Sequence, residues 1–306
     1  MENHPLTKGQ KSILQAYDHH LRQVVGLSPK TCRDRWRDLS SFLKSVRIEQ
    51  IRHMTELTPM DLVNYLTERS RHSAPASLRN IGSSLRHFLR FARQRAWVRQ
   101  DLDLGVPKIA CGPQNDLPVF LSRPQLASLL ASWDRTTPEG ARDLAIGLCL
   151  AKLALRAGEV AALRLEDIDW RRGTLRINQS KTGSPAQLPL RSEVGSALAD
   201  YLRNARPVCR ARHIFLTTAD ARPMSSRAIS QVIRRALERC QIAVPRPGAH
   251  LLRHTLASHL VQNGASLKEV ADLLRHRDLN STAVYAHVDI PNLATLAHPW
   301  PMEDSL

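Results

Sequence analysis

The feature that most limits how this sequence can fold is a change of pattern just after residue 100. Before it, apolar residues recur at helical spacing; from Asp103 to Pro118 the periodicity dissolves into DLGVPKIACGPQNDLP. The three prolines and two glycines of that stretch remove backbone donors and favour turns, so it reads as a linker. We therefore expect a helical domain over 1–105, a linker over 106–118 and a second domain over 119–306, ending in a tail from about 289. A chain of 306 residues is long enough to bury two ordinary cores.

The first third reads as helices that begin at capped prolines. Ser28-Pro29 precedes Cys32, Trp36, Leu39, Phe42 and Leu43, and Thr58-Pro59 precedes Met60, Leu62, Val63, Tyr65 and Leu66. A third helix follows 73–77, with Leu78, Ile81, Leu85, Phe88, Leu89 and Ala92 on its apolar face. It also carries Arg79, Arg86, Arg90 and Arg93, the last three as one stripe without interleaved acids. A charged stripe is commonly just a solvated face; the missing acids favour a helix that contacts phosphate.

The second domain is mixed. Ser122-Arg123-Pro124 starts a helix, and 142–164 reads as helical with an interruption at Gly158. After a turn at 169–173, Leu175 and Ile177 alternate with polar residues, as Leu188 and Leu190 do beyond a second turn at 181–184. Helices resume near Glu193, after 224–226, around His250 and over 266–274. The expected fold class is mainly α with a small antiparallel β-sheet.

Charge narrows the partner. With 44 Lys+Arg against 28 Asp+Glu, the formal net charge is +16, a self-repulsion that a polyanion such as nucleic acid relieves. Simple solubility, or a genome that favours arginine codons, is the plainer account. The five cysteines are scattered without a CxxC pair, which argues against a zinc site and a disulfide framework and for a reducing cytosol. The longest apolar run, 145–155, contains Lys152 and is too short to span a bilayer; MENHPLTKGQK has no hydrophobic signal region.

Four segments carry chemistry. In LALRAGEVAALRLEDID, Arg156 sits among apolar residues where an unpaired guanidinium is costly, and Glu159 is placed to pair with it. Lys181 lies on the hairpin turn SKTG. In HLLRHTLASHL, His250 and Arg253 are three apart and share a helix face. In LLRHRDLNSTAVYAHV, His276 precedes Tyr285. Each alone has a plain structural reading: a buried ion pair, a solvated lysine, surface decoration, a core tyrosine.

In this order, Arg156, Lys181, His250-x-x-Arg253, His276 and Tyr285 resemble the tyrosine recombinase (phage integrase) family. The resemblance spans about 119–288, and the helical first third looks more vaguely like that family's core DNA-binding (SAM-like) domain. It implies that Tyr285 attacks a scissile DNA phosphate, forming a 3′-phosphotyrosyl bond and freeing a 5′-hydroxyl. Arg156 and Arg253 would clamp the nonbridging oxygens, with His276 adding a hydrogen bond. His250 would act as general base or positioning group, Lys181 as general acid, and Glu159 would hold Arg156 from behind. Neither metal nor other cofactor is implied, and rejoining needs no ATP. The implied partners are double-stranded recombination sites, a homotetramer on DNA, and accessory proteins or sister recombinases, in a cytoplasmic, nucleoid-associated setting. Two lobes would close on the duplex as a clamp.

Two positions depart from the family pattern. Arg275 stands where a glycine usually ends the preceding helix in a left-handed turn, a conformation costing about 1 kcal/mol for other residues; it is also a candidate DNA contact, beside Arg79, Arg86, Arg90 and Arg93. Ser184-Pro185 follows the lysine hairpin where further basic residues are common, and Lys152 is a poorer rival to Lys181. In the tail, Leu293, Leu296 and Trp300 suit docking on a neighbouring protomer. A mobile-element integrase is favoured over a chromosome-dimer resolvase. A noncatalytic DNA-binding regulator and a topoisomerase that nicks and swivels DNA remain the rivals.

Overall fold

The computed structural model describes residues 5–98, 101–110, 118–178, 185–275, 282 and 284–285. The chain divides into two compact units, residues 1–115 and 116–306.

In the first unit, α1 (Lys8–His19) runs into a π-helical turn, and α2 (Pro29–Ser45), α3 (Pro59–Ser70) and α4 (Pro75–Gln94) follow. Their starts are local chemistry: Ser28 accepts from the Thr31 amide, and Thr58 and Asp61 form a reciprocal capping box, each just before a proline at the first helical position. The apolar stripes meet in one core, in which Ile13, Leu39, Phe42, Leu85 and Phe88 are fully buried. Asp38 is buried between α2 and α4, and the Ser84 hydroxyl (2.9 Å) and the Arg37 guanidinium (3.2 Å) both donate to it. Val106 is buried in this core and Ile109 packs against it, so the packing of the unit continues into the stretch expected to be a linker.

The arginine stripe of α4 is answered by the residues that follow the helix, from Asp101 to Pro107. Arg86 donates to the carbonyls of Val106 and Pro107, Arg90 to Asp103 at 3.0 Å, and Arg93 pairs with Asp101 and Asp103. The acids absent from the helix thus arrive from the segment that follows it. Arg79 lies apart from these pairs, on the exposed surface of α4.

The second unit is built on α6 (Pro138–Leu153), preceded by α5 (Arg123–Ala131) and followed by the short α7 (Ala157–Ala162). β1 (Ile168–Asp169), β2 (Thr174–Ile177) and β3 (Ala186–Pro189) form an antiparallel sheet in the order β1-β2-β3, with Leu175 opposite Leu188. Leu175 and Ile177 point into the core while Arg176 between them is exposed, the alternation a one-sided sheet requires. α8 (Ser192–Asp200), α9 (Ser226–Arg239), α10 (Ala249–Gln262) and α11 (Leu267–Leu274) complete it. The mainly helical class with a small antiparallel sheet matches the sequence expectation.

One expectation is corrected. The interruption of the helical stretch lies at Ala154–Arg156, and Gly158 sits inside α7. Ala154 ends α6 in the left-handed region, φ 50°, and Arg156 is extended, φ −79°, ψ 151°. Glycine is the usual residue for such a turn, but here tertiary contacts described below hold the alanine in it.

Gly147, within α6, faces the Trp133 ring, and an added Cβ there would come within 2.5 Å of the ring. Trp133 is 5% exposed and cannot swing away. Gly147→Ala is expected to destabilise the second unit by about 1–3 kcal/mol through overpacking, read as a lower urea midpoint at unchanged m-value.

Candidate active site

The site forms where α7, the start of α10 and the end of α11 meet. Arg156, at the start of α7, is fixed twice by one carboxylate: its Nη1 donates to Glu159 Oε1 at 2.9 Å and its backbone amide to Oε2 at 2.8 Å. The Glu159 side chain is 2% exposed, a burial that an unpaired carboxylate could not sustain. A second guanidinium completes the pairing, since Arg275 Nη2 lies 2.7 Å from Glu159 Oε2. Arg275 caps α11 in the left-handed conformation, φ 52°, ψ 48°, as its place where the family usually has a helix-ending glycine implied. The Glu159 bridge offsets the cost of that turn and ties the end of α11 to α7.

Because the buried Glu159 answers two half-buried cations, Glu159→Gln is expected to destabilise the unit by about 2 kcal/mol, the scale of a hydrogen bond to a charged group. In a double-mutant cycle with Arg275→Gly, urea unfolding should show the two losses to be less than additive. Strict additivity would mean that the bridge contributes nothing.

Arg253 projects inward from α10 and is 1% exposed. Its Nη1 donates to the Ala154 carbonyl and its Nη2 to that of Leu274, so one guanidinium closes the ends of both α6 and α11. Those carbonyls are among the groups a helix end leaves without partners. Burial, then the like charges of Arg156 and Arg275, lower the Arg253 pKa to about 9, with Glu159 and Tyr285 opposing. It remains a cation at neutral pH. Its remaining N–H donors, with the Arg156 charge acting on them, form a corner whose chemistry suits an anion.

Tyr285 packs against Ala154, Val261, Val270 and Leu274 and is 1% exposed. Its hydroxyl lies 2.7 Å from His254 Nδ1. Burial raises the phenol pKa to about 12, and Arg253 opposes the rise. The His254 ring in turn meets that of His250 edge-on, centroids 4.3 Å apart. His250 itself is exposed at the start of α10. The structure therefore brings together Arg156, Glu159, His250, Arg253, Arg275 and Tyr285. Lys181 and His276 lie outside the described residues. Lys152, the rival lysine, pairs with Glu193 at 3.1 Å.

His254 is the member that reading the sequence missed. Its spacing of four from His250 places both on one helix face, which was a usable signal, but its contact with Tyr285 spans 31 residues. Among the described residues, no group of three or more His, Cys, Asp or Glu side chains could hold a metal ion, and no helix is long and apolar enough to cross a membrane.

This fold and this arginine–tyrosine corner define the class: the chain belongs to the phage integrase family, whose catalytic model matches residues 120–290 and whose N-terminal SAM-like domain matches 14–96. It is 37% identical over 294 residues to a Sinorhizobium fredii protein named integrase/recombinase y4rA, covering 95% of this chain and 71% of that one. It is 31% identical over 288 residues to tyrosine recombinase XerC of Oceanobacillus iheyensis, covering 90% and 91% respectively. Among solved structures, a lambda integrase tetramer bound to a Holliday junction shares the fold at a TM-score of 0.71 and 19% identity, over 97% of this chain and 79% of that one.

Proposed function

We infer that this protein is a site-specific recombinase that cuts and rejoins duplex DNA through a 3′-phosphotyrosyl link to Tyr285, in the service of a mobile element. The observation that carries the reading is a buried tyrosine beside the inward Arg253 guanidinium, which in turn lies in the field of Arg156. Phosphoryl transfer needs positioning and charge stabilisation above all. A DNA phosphate held by both guanidinium groups would present phosphorus to the phenol oxygen, and charge growing on its nonbridging oxygens would be met by fixed donors. Arg275 and Glu159 keep Arg156 in register. Lys181 protonates the leaving 5′ oxygen and His276 adds a donor to the same phosphate, both roles resting on the family resemblance. Arg79, with the exposed faces of Arg90 and Arg93 beside it, supplies backbone contacts, and Arg86 orders the segment after α4.

Oligomeric action on DNA fits the likeness to the lambda integrase tetramer. A cavity of about 310 Å³ lined by Lys152, Leu188, Leu256, Leu260 and Leu273 suits the apolar tail residues Leu293, Leu296 and Trp300 of a neighbouring copy. The mobile-element role follows the relative named integrase/recombinase, with the chromosome-dimer resolvase as the second reading on the strength of the XerC relative.

The test is covalent trapping on nicked duplexes tiled across the DNA flanking the coding sequence. A denaturation-resistant, protease-sensitive species is expected, and mass spectrometry should find the nucleotide remnant on Tyr285. Tight binding of a duplex without any covalent species would favour a noncatalytic regulator.

A further inference from the structure

We propose that His254 is the immediate proton acceptor of Tyr285 and that His250 acts on the tyrosine through it. The proposal rests on the recombinase reading above and deepens it, since family resemblance alone assigned the base role to His250. The Tyr285 hydroxyl lies 2.7 Å from His254 Nδ1, hydrogen-bond distance for a proton in transfer. His250 approaches this pair by an edge-on ring contact with His254.

The chemistry requires an acceptor here. Burial leaves the phenol with a pKa of about 12, so free ionisation supplies very little phenolate near neutral pH. With the proton of neutral His254 on Nε2, Nδ1 has the lone pair that the hydroxyl faces. As the Tyr285 oxygen bonds to phosphorus, its proton passes to Nδ1 and His254 becomes an imidazolium. The P–O5′ bond breaks, and the leaving oxygen takes its proton from the acid assigned to Lys181. On rejoining, the 5′-hydroxyl gives its proton back to the Lys181 amine as its oxygen bonds to phosphorus, the tyrosine oxygen leaves, and the His254 imidazolium returns the proton to it. The groups that bear on this transfer are Arg253 on the same helix, which acts on the phenol, and the His250 ring against His254; Arg156, Glu159 and Arg275 act on Arg253 in turn. His254 is held for the task by its place on α10, one residue after the buried Arg253 and one turn after His250.

The hydrogen bond is tested first without DNA. In ¹⁵N NMR of the whole protein, His254 should be the Nε2–H form, with an Nδ1 signal that shifts in Tyr285→Phe. An Nδ1-protonated neutral ring overturns the proposal whatever the protein does to DNA. On a duplex that traps the wild type, His254→Asn, which keeps an acceptor but no base, and His254→Phe should each slow covalent-complex formation roughly 10²–10⁴-fold. Thermal melting and duplex binding separate this from misfolding. A fluorinated tyrosine of lower pKa at position 285 should recover most of that loss while changing the otherwise wild-type enzyme little. The wild-type rate should fall as pH drops through the histidine range, a limb absent from both variants, whose rates should climb towards high pH instead. Wild-type rates in His254→Asn, or slowing that fluorotyrosine does not relieve, sink the proposal. If the wild type forms no covalent species on any duplex, the recombinase reading itself fails, and the NMR result still decides the hydrogen bond.

Discussion

Tyr285→Phe is expected to bring covalent complex formation below detection while leaving the protein folded and able to bind the same duplexes. The substitution removes one oxygen and keeps the ring, and the ring is what packs against Ala154, Val261, Val270 and Leu274. The stability cost is that of one partly buried hydrogen bond to His254, about 1 kcal/mol. Activity has no such reserve, because phenylalanine carries no oxygen with which to attack phosphorus. A denaturing gel on suicide duplexes, with thermal melting and fluorescence anisotropy on the same samples, checks both halves. Covalent product from the variant would remove Tyr285 from its assigned role. A collapse of the melting transition would show that the hydroxyl is needed for the fold.

The second large effect is expected at Arg253, where stability and catalysis should fall together. Arg253→Ala leaves the buried carbonyls of Ala154 and Leu274 without their donor, at about 1–3 kcal/mol each, and opens a cavity besides. A total near 4 kcal/mol is expected, enough to unfold a marginal domain at moderate temperature. Cleavage should fall at least about 10²-fold beyond any loss of folded protein, the scale of removing one donor from a charged transition state. Arg253→Lys keeps the charge, but a single ammonium lacks the planar fork that spans two carbonyls. It should recover part of the stability and little of the rate. Urea midpoints and trapping rates, each normalised to folded fraction, are the measurements. A fully stable Arg253→Ala would mean that the two carbonyls find other donors.

What the sequence made legible was what is decided locally. The helix starts at Ser28, Thr58 and Ser122 were readable because cap and proline act within one turn. The Arg156–Glu159 pair was readable because both partners lie three residues apart. The break beside it was not. A glycine at 158 was the obvious place for it, yet Ala154 takes the turn because Arg253, 99 residues further on, bonds its carbonyl. The α4 stripe misled in a related way: its lack of acids was real within the helix, and Asp101 and Asp103 supply them from just ahead of the expected linker. His254 was overlooked because its partner in the site is fixed only once α10 and the Tyr285 segment come together.

The double use of Arg253 has a consequence for how the site can be watched. A guanidinium that closes the ends of α6 and α11 makes the anion corner and those helix ends open and shut as one unit. Protease cleavage near residues 154 and 275 therefore reports the integrity of the catalytic corner in a protein that has met no DNA. Ligands that occupy the corner, inorganic phosphate among them, should protect both places in parallel.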